Sequence, residues 1–257
     1  MTWALDLDGV VWLAGQAVPG APGAVAALRA AGHRVVFLTN NSGPLLGDHL
    51  EALGRIGVDA QADDLLTSAQ AAASMLEPGE RAMVVGDAGI REALAERGVE
   101  VVPPGGHPQA VVVGRSVVLD YWELSAAASA VRRGARFIAT NTDSTFPTSD
   151  GRSPDGLLPG AGALVAFVAT AAGREPEVAG KPNRPMARLA LARYGELEVV
   201  AGDRPGTDGL FAKEVGARFG LVLSGVTRRQ DLPVEPAPDL VGDDLAHLVA
   251  TYLGRPV

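Results

Sequence analysis

Trp3-Ala4-Leu5-Asp6-Leu7-Asp8-Gly9-Val10 opens the chain with an apolar run that ends in two aspartates, two residues apart, and a glycine. Read as a strand over 3–7, its period of two turns both carboxylates to the same side at the carboxyl end, where open α/β sheets gather their ligands. Two carboxylates at that spacing repel each other, so a cation or hydrogen-bond donors must compensate them. Gly9 lets the backbone turn sharply around a bound oxyanion. Taken alone, the pair reads equally well as a solvated turn after an edge strand, because short motifs recur by chance. The rest of the chain has to decide between the two.

Outward from this strand, a helix-like stretch at 21–31 stops at Gly32, and an apolar run at 34–38 leads into the polar loop Thr39-Asn40-Asn41-Ser42-Gly43-Pro44. Such alternation predicts a parallel sheet flanked by helices. A second series follows, with strands at 82–85, 99–102, 110–113 and 136–139 and helices at 90–97 and 123–133; Pro103-Pro104-Gly105-Gly106 marks a turn within it. No long linker bounds this series, which predicts a domain inserted into the first fold. Glu177-Val178-Ala179-Gly180, a helix at 185–193, a strand at 197–201, a helix through Ala212 and a strand at 218–223 are expected to complete the first sheet.

Three further strand ends carry polar groups. Thr39-Asn40 offers a hydroxyl and amides, although a helix cap or an Asx turn explains the same residues. Gly180-Lys181-Pro182-Asn183 presents an ammonium at a corner that Pro182 prevents from continuing a ladder. Val199-Val200-Ala201-Gly202-Asp203-Arg204-Pro205-Gly206-Thr207-Asp208 ends another apolar run in acids, with Asp208 equally readable as a helix N-cap. Each element is ambiguous by itself. Four strand ends supplying paired acids, a hydroxyl, a lysine and two more acids make a collective signal.

The order and chemistry of these elements resemble the haloacid dehalogenase (HAD) superfamily of phosphotransferases, and within it the large-cap NagD-like branch of phosphoglycolate, pyridoxal phosphate and nitrophenyl phosphate phosphatases. Asp6-Leu7-Asp8-Gly9-Val10 matches the first motif, Leu38-Thr39-Asn40-Asn41-Ser42 the second, Gly180-Lys181-Pro182 the third, and Gly202-Asp203 with Asp208 the fourth. The resemblance implies an α/β fold: a Rossmann-like parallel-sheet core from residues 1–80 and 180–257, with an inserted α/β cap over 81–179 that carries specificity. It implies a phosphomonoesterase acting on a small phosphorylated metabolite through an aspartyl-phosphate, with Asp6 as nucleophile and Asp8 as general acid and base. It implies Mg²⁺ held by Asp6, Asp203 and the Asp8 backbone carbonyl. Lys181, Thr39, Asn40 and Asn41 would grip the phosphoryl oxygens, and Asp208 would orient Lys181 or a metal-bound water. A phosphotransferase or mutase would use the same four motifs, and a phosphate sensor would be expected to have lost the nucleophile or the lysine. Cap-to-cap homodimers occur in this branch and are one assembly it implies.

Two segments imitate the motifs inside the inserted region: Val84-Val85-Gly86-Asp87 and Ile138-Ala139-Thr140-Asn141. Glu92 stands five residues beyond Asp87, where Asp208 stands five beyond Asp203, but both segments lie where the resemblance places the cap, so neither is assigned to the phosphate site.

Composition agrees. A formal net charge of -8 with no run of Lys or Arg argues against a duplex nucleic-acid partner. Without cysteine there is neither disulfide nor thiolate chemistry. The chain reaches its acidic cluster at once, with no basic stretch and apolar signal core before it, and no apolar run approaches membrane-spanning length. A cytoplasmic protein with no membrane partner is therefore expected. The metabolite itself is not readable: glycerol phosphate, phosphoglycolate, sugar phosphates, nucleoside monophosphates and pyridoxal phosphate all stay open.

Overall fold

In the computed structural model, which describes residues 1–148, 153 and 156–255, the chain forms two compact units. The first comprises Met1–Thr39, Gly47–Leu66 and Lys181–Val257; the second comprises Asn40–Leu46 and Thr67–Gly180.

The first unit is built on a six-stranded sheet in the order Leu240–Gly242, Arg218–Val222, Val199–Gly202, Thr2–Leu5, Arg34–Thr39, Leu65–Thr67. The pairings from Leu240–Gly242 across to Arg34–Thr39 are parallel. Every residue of Thr2–Leu5 and of Val199–Gly202 is buried, which is why these strands read as continuous apolar runs rather than alternating ones. Helix Ala21–Ala30 buries Ala21, Ala24, Val25 and Leu28, a stripe at helical spacing. It ends where Gly32 takes φ +83°, and the His33 amide closes back on the Leu28 carbonyl at 3.0 Å.

Chain order makes this sheet a site-builder. From the central strand Thr2–Leu5 the chain winds outward through Arg34–Thr39 to Leu65–Thr67, and later returns on the other side at Val199–Gly202. The winding reverses between Thr2–Leu5 and Val199–Gly202, so a crevice opens at their carboxyl ends. Register completes the placement: Leu5 pairs with both Phe37 and Ala201, so Asp6, Thr39 and Asp203 all leave the same edge within two residues of the last rung.

The second unit has its own parallel sheet, ordered Glu177–Val178, Arg136–Ala139, Ala110–Val113, Arg81–Val85, Glu100–Val101. Its core gathers Met83, Val85, Val111, Val113, Phe137, Leu124, Val131, Leu164 and Val168 beneath helices Tyr121–Arg132 and Ala161–Ala172. Asp120 caps the first of these helices by accepting from the Trp122 and Glu123 amides.

Two expectations are corrected. The Glu177–Val178 strand does not join the first sheet: Glu177 is ion-paired to Arg136 at 3.2 Å and the Ala179 amide donates to Ala139, which fixes this segment to the second. The first strand stops at Leu5 instead of Leu7, because the Leu7 carbonyl takes up the Val10, Val11 and Trp12 amides in a tight loop. Strand alternation therefore does not set the direction of Asp8. Among the described residues no helix is long and apolar enough to cross a membrane.

Candidate active site

The Asp6 amide donates to the Ala201 carbonyl at 2.9 Å, and its carboxylate Oδ1 accepts from the Leu7 amide at 2.8 Å and from Lys181 Nζ at 2.9 Å. The backbone beyond it is pinned by Gly9, at φ +82°, whose amide donates to the Trp12 carbonyl at 2.6 Å and whose carbonyl accepts from Ser224 Oγ at 2.7 Å. Asp8 lies on this loop, with Oδ1 accepting from Trp12 Nε1 at 3.1 Å.

Lys181 is buried, and its ammonium reaches Asp6 Oδ1, Asp208 Oδ1 at 2.6 Å and the Leu38 carbonyl at 3.1 Å. Burial pulls its pKa down, but the Asp208 and Asp6 carboxylates overcome that and hold it above the usual lysine range. Asp208 is fully buried, and its second oxygen accepts from the Arg204 amide at 3.1 Å. A Cβ at Gly202 would collide with Asp208, which is why this strand ends in glycine.

Asp203 leaves the adjacent strand and accepts from the Val226 amide at 2.6 Å through Oδ2. Its Oδ1 is buried without a hydrogen-bond partner among the described residues. Burial, with Asp208 beside it, pushes the Asp203 carboxyl up to about 6 against the pull of the Val226 amide, Arg204 and Lys181. Burial also raises Asp6 well above the ordinary carboxylate range; Lys181 opposes that shift, while Asp208, Asp203 and Asp8 add to it. Asp6 and Asp208 thus share one buried ammonium, and oxygens of Asp6, Asp203 and Asp208 lie within 4.8 Å of one another. A buried carboxylate oxygen that lacks a donor is costly unless a cation meets it. Hard oxygen donors at this spacing suit a small divalent ion such as Mg²⁺. The Asp6 side chain remains 13% exposed while those of Lys181 and Asp208 are at 1% and 0%, so of these three Asp6 is the group a ligand can reach.

The structure brings Asp6, Lys181, Asp203 and Asp208 together and sets the buried Thr39 at the same sheet edge. Asn40 and Asn41, next along the chain, fall within the second unit. There Asn40 Nδ2 donates to Asp143 at 3.1 Å, and its carbonyl accepts from Ser68 Oγ and Asn141 Nδ2, both at 2.6 Å. Asn41 Oδ1 accepts from the Gly43 amide at 3.3 Å. Sequence reasoning missed the loop Ser224-Gly225-Val226, which braces Gly9 and Asp203. Gly225 was its one visible signal: a Cβ there would strike Asp203.

A parallel sheet whose reversal point delivers an acid from each of two neighbouring strands, with a buried lysine between them, defines an α/β protein built to hold an anionic group beside a cation. Comparison with known proteins narrows this. Residues 3–100 match the family described as haloacid dehalogenase-like hydrolase, and residues 178–248 match a second HAD-hydrolase-like description. The D-glycerol 3-phosphate phosphatase of Mycobacterium tuberculosis is 37% identical over 254 residues, covering 95% of this chain and 69% of that one. The structure of a glycerol phosphate phosphatase from the same organism in complex with magnesium superposes with a TM-score of 0.87 at 36% identity, covering 96% of this chain and 75% of that one. NagD from E. coli K-12 gives a TM-score of 0.83 at 32% identity, covering 95% and 96%. The chain belongs to the haloacid dehalogenase-like hydrolases, in their NagD-like branch.

Proposed function

We propose that this phosphatase, a Mg²⁺-dependent phosphomonoesterase of small phosphorylated metabolites, works through a phosphorylated Asp6. The observation that carries the assignment is the Asp6 carboxylate, mostly buried yet still partly accessible, held by Lys181 and flanked by the Asp203 oxygen that lacks a partner among the described residues. Asp6 attacks phosphorus as the ester P–O bond breaks, and Asp8 gives its proton to the departing alkoxide, which leaves as an alcohol. A water then attacks the aspartyl-phosphate; its proton passes to Asp8, the Asp6–phosphorus bond breaks, and inorganic phosphate leaves with Asp6 regenerated. Asp6, Asp203 and the Asp8 backbone carbonyl would hold Mg²⁺, which when bound neutralises the nucleophile against a dianionic ester. Lys181 keeps the Asp6 carboxylate aligned and, with Thr39, Asn40 and Asn41, offers donors to phosphoryl oxygens. Asp208 holds Lys181 in place. Several groups are needed because uncatalysed phosphate-monoester hydrolysis is slow enough that enzymes supply up to ~10²¹-fold, about 28 kcal/mol.

By the same proposal the first unit is the catalytic core and the second is the cap, with a cap-to-cap homodimer as the assembly. Glycerol phosphates and related three-carbon phosphate esters are the first substrates to test, because the relatives at 37% and 32% identity carry those names. The test is phosphate release over a metabolite panel with and without Mg²⁺, combined with acid quench and peptide mass mapping. A gain of about 80 Da is expected on the peptide containing Asp6, from replacement of the carboxyl proton by a phosphoryl group. Turnover that leaves Asp6 unmodified under every quench condition, or that ignores Mg²⁺, overturns the assignment.

A further inference from the structure

Asp8 and Trp12 face each other across an isolated β-bridge. The Leu7 carbonyl accepts from the Trp12 amide at 3.0 Å and the Gly9 amide donates to the Trp12 carbonyl, so residues 7 to 12 close on themselves. Within this loop the indole is 6% exposed, and its Nε1 donates to Asp8 Oδ1 at 3.1 Å. An indole nitrogen can only donate, and a buried one needs an acceptor. The ring of His49, 3% exposed, lies within 2° of parallel to the indole at 6.4 Å between centroids. With Trp12 itself almost wholly buried, the indole has little room to turn away.

We infer that Trp12 is a positioning residue for the reaction: its N–H fixes the carboxyl plane of Asp8, so that the proton given to the leaving group is carried by the other oxygen at a set angle. The inference rests on the proposed acid and base role of Asp8. A misaligned general acid forfeits part of the roughly 10²–10⁴-fold that such groups contribute. The loss falls on the leaving group that needs a proton. An alkyl phosphate expels a basic alkoxide, whereas p-nitrophenyl phosphate expels a stable phenolate.

The test compares those two substrates in Trp12→Phe, which keeps an aromatic ring and removes the N–H. Replacement of Trp12 by 3-benzothienylalanine, in which sulfur takes the place of the N–H in a ring of nearly the same shape, covers the case in which phenylalanine does not fold. The expected result is a kcat/KM lower by about 10- to 100-fold on glycerol 3-phosphate against less than about 3-fold on p-nitrophenyl phosphate, because kcat/KM reads the phosphorylation step in which the leaving groups differ, whereas water attack on the phosphoenzyme is common to both. In an Asp8→Asn background, removing the N–H should cost nothing further. Equal losses on the two substrates, no loss on either, or a full additional loss in the Asp8→Asn background would overturn it. Asp8→Asn alone separates the two levels. If that variant shows no preference for the better leaving group, the acid role itself falls; if it shows the preference and the Trp12 variants do not, only the positioning role falls.

Discussion

The two units repeat the same short sequences at the same kind of place and put them to different use. Gly202-Asp203 and Gly86-Asp87 each end a buried parallel strand, as do Thr39-Asn40 and Thr140-Asn141. In the second unit Asp87 faces Arg115 at 3.9 Å, accepts from the Val117 amide and sits at the N-cap of helix Ala88–Glu96. Asn141 binds the Asn40 carbonyl and the Asp143 amide, and Thr140 shares a hydrogen bond with Ser42 at 2.9 Å. These groups satisfy one another. In the first unit Asp203 is left with a buried unsatisfied oxygen, crowded by carboxylates that one lysine serves. A strand-end aspartate becomes chemical when the chain withholds the compensating partner, and structural when it supplies one.

The comparison breaks first at Asp6. Asp6→Asn removes the proposed nucleophile and should lower kcat by on the order of 10⁴-fold or more with the fold retained, as steady-state kinetics and circular dichroism would show. Retained turnover would erase the distinction between the two sheets.

Lys181→Met comes next. It takes the ammonium from two carboxylates, Asp6 at 2.9 Å and Asp208 at 2.6 Å. We expect kcat to fall about 10²–10³-fold. Stability without metal should drop by roughly 3–5 kcal/mol in denaturant titrations, the usual cost of stranding a buried charge. Arg115→Met in the second unit should cost less than that, since its ion pair with Asp87 is longer, at 3.9 Å, and partly solvated.

The pH response sharpens the same contrast. Asp203 is raised to about 6 when folded, and Asp6 is raised as well, chiefly by burial. The metal-free folded state thus binds protons that the unfolded state has released. This contribution to stability is full below the ordinary carboxylate value of about 4 and is lost as the pH rises through about 6. For Asp203 the loss is on the order of 3 kcal/mol. Mg²⁺ competes with those protons, so its apparent affinity should rise over the same window. Thermal melts from pH 4 to 8 with and without Mg²⁺ would read both trends; a metal-free stability that climbs through that range contradicts the burial argument.

Legibility in the sequence followed the same division. Thr2–Leu5, Arg34–Thr39, Ala110–Val113 and Arg136–Ala139 could be read because fully buried parallel strands leave uninterrupted apolar runs closed by polar punctuation. Helix Ala161–Ala172 could not. Its alanines and valines give almost no polar face, so no helical period stands out. The three-residue strands Leu65–Thr67 and Leu240–Gly242 are too short to show a pattern. At the site, Asp6, Lys181, Asp203 and Asp208 were legible as strand-end acids and a lysine, and the structure assembles them. Asp143 and the Ser224-Gly225-Val226 loop carried no motif, because their contacts depend on tertiary placement. Trp12 was quoted in no motif either, since a tryptophan beside an apolar turn reads as core.

The smallest effect is the most diagnostic. Asp87→Asn keeps an oxygen that can accept from the Val117 amide and discards only the charge facing Arg115. That pair is partly solvated, so the change should cost less than about 1 kcal/mol. The proposed phosphate chemistry uses none of these atoms, so kcat/KM should stay within about threefold of the parent on every substrate and at every Mg²⁺ concentration. A tenfold loss would mean that Gly86-Asp87 shares in the reaction despite its satisfied surroundings. The rule drawn from Asp203, that an unmet carboxylate marks the chemical site, would then no longer separate the two sheets.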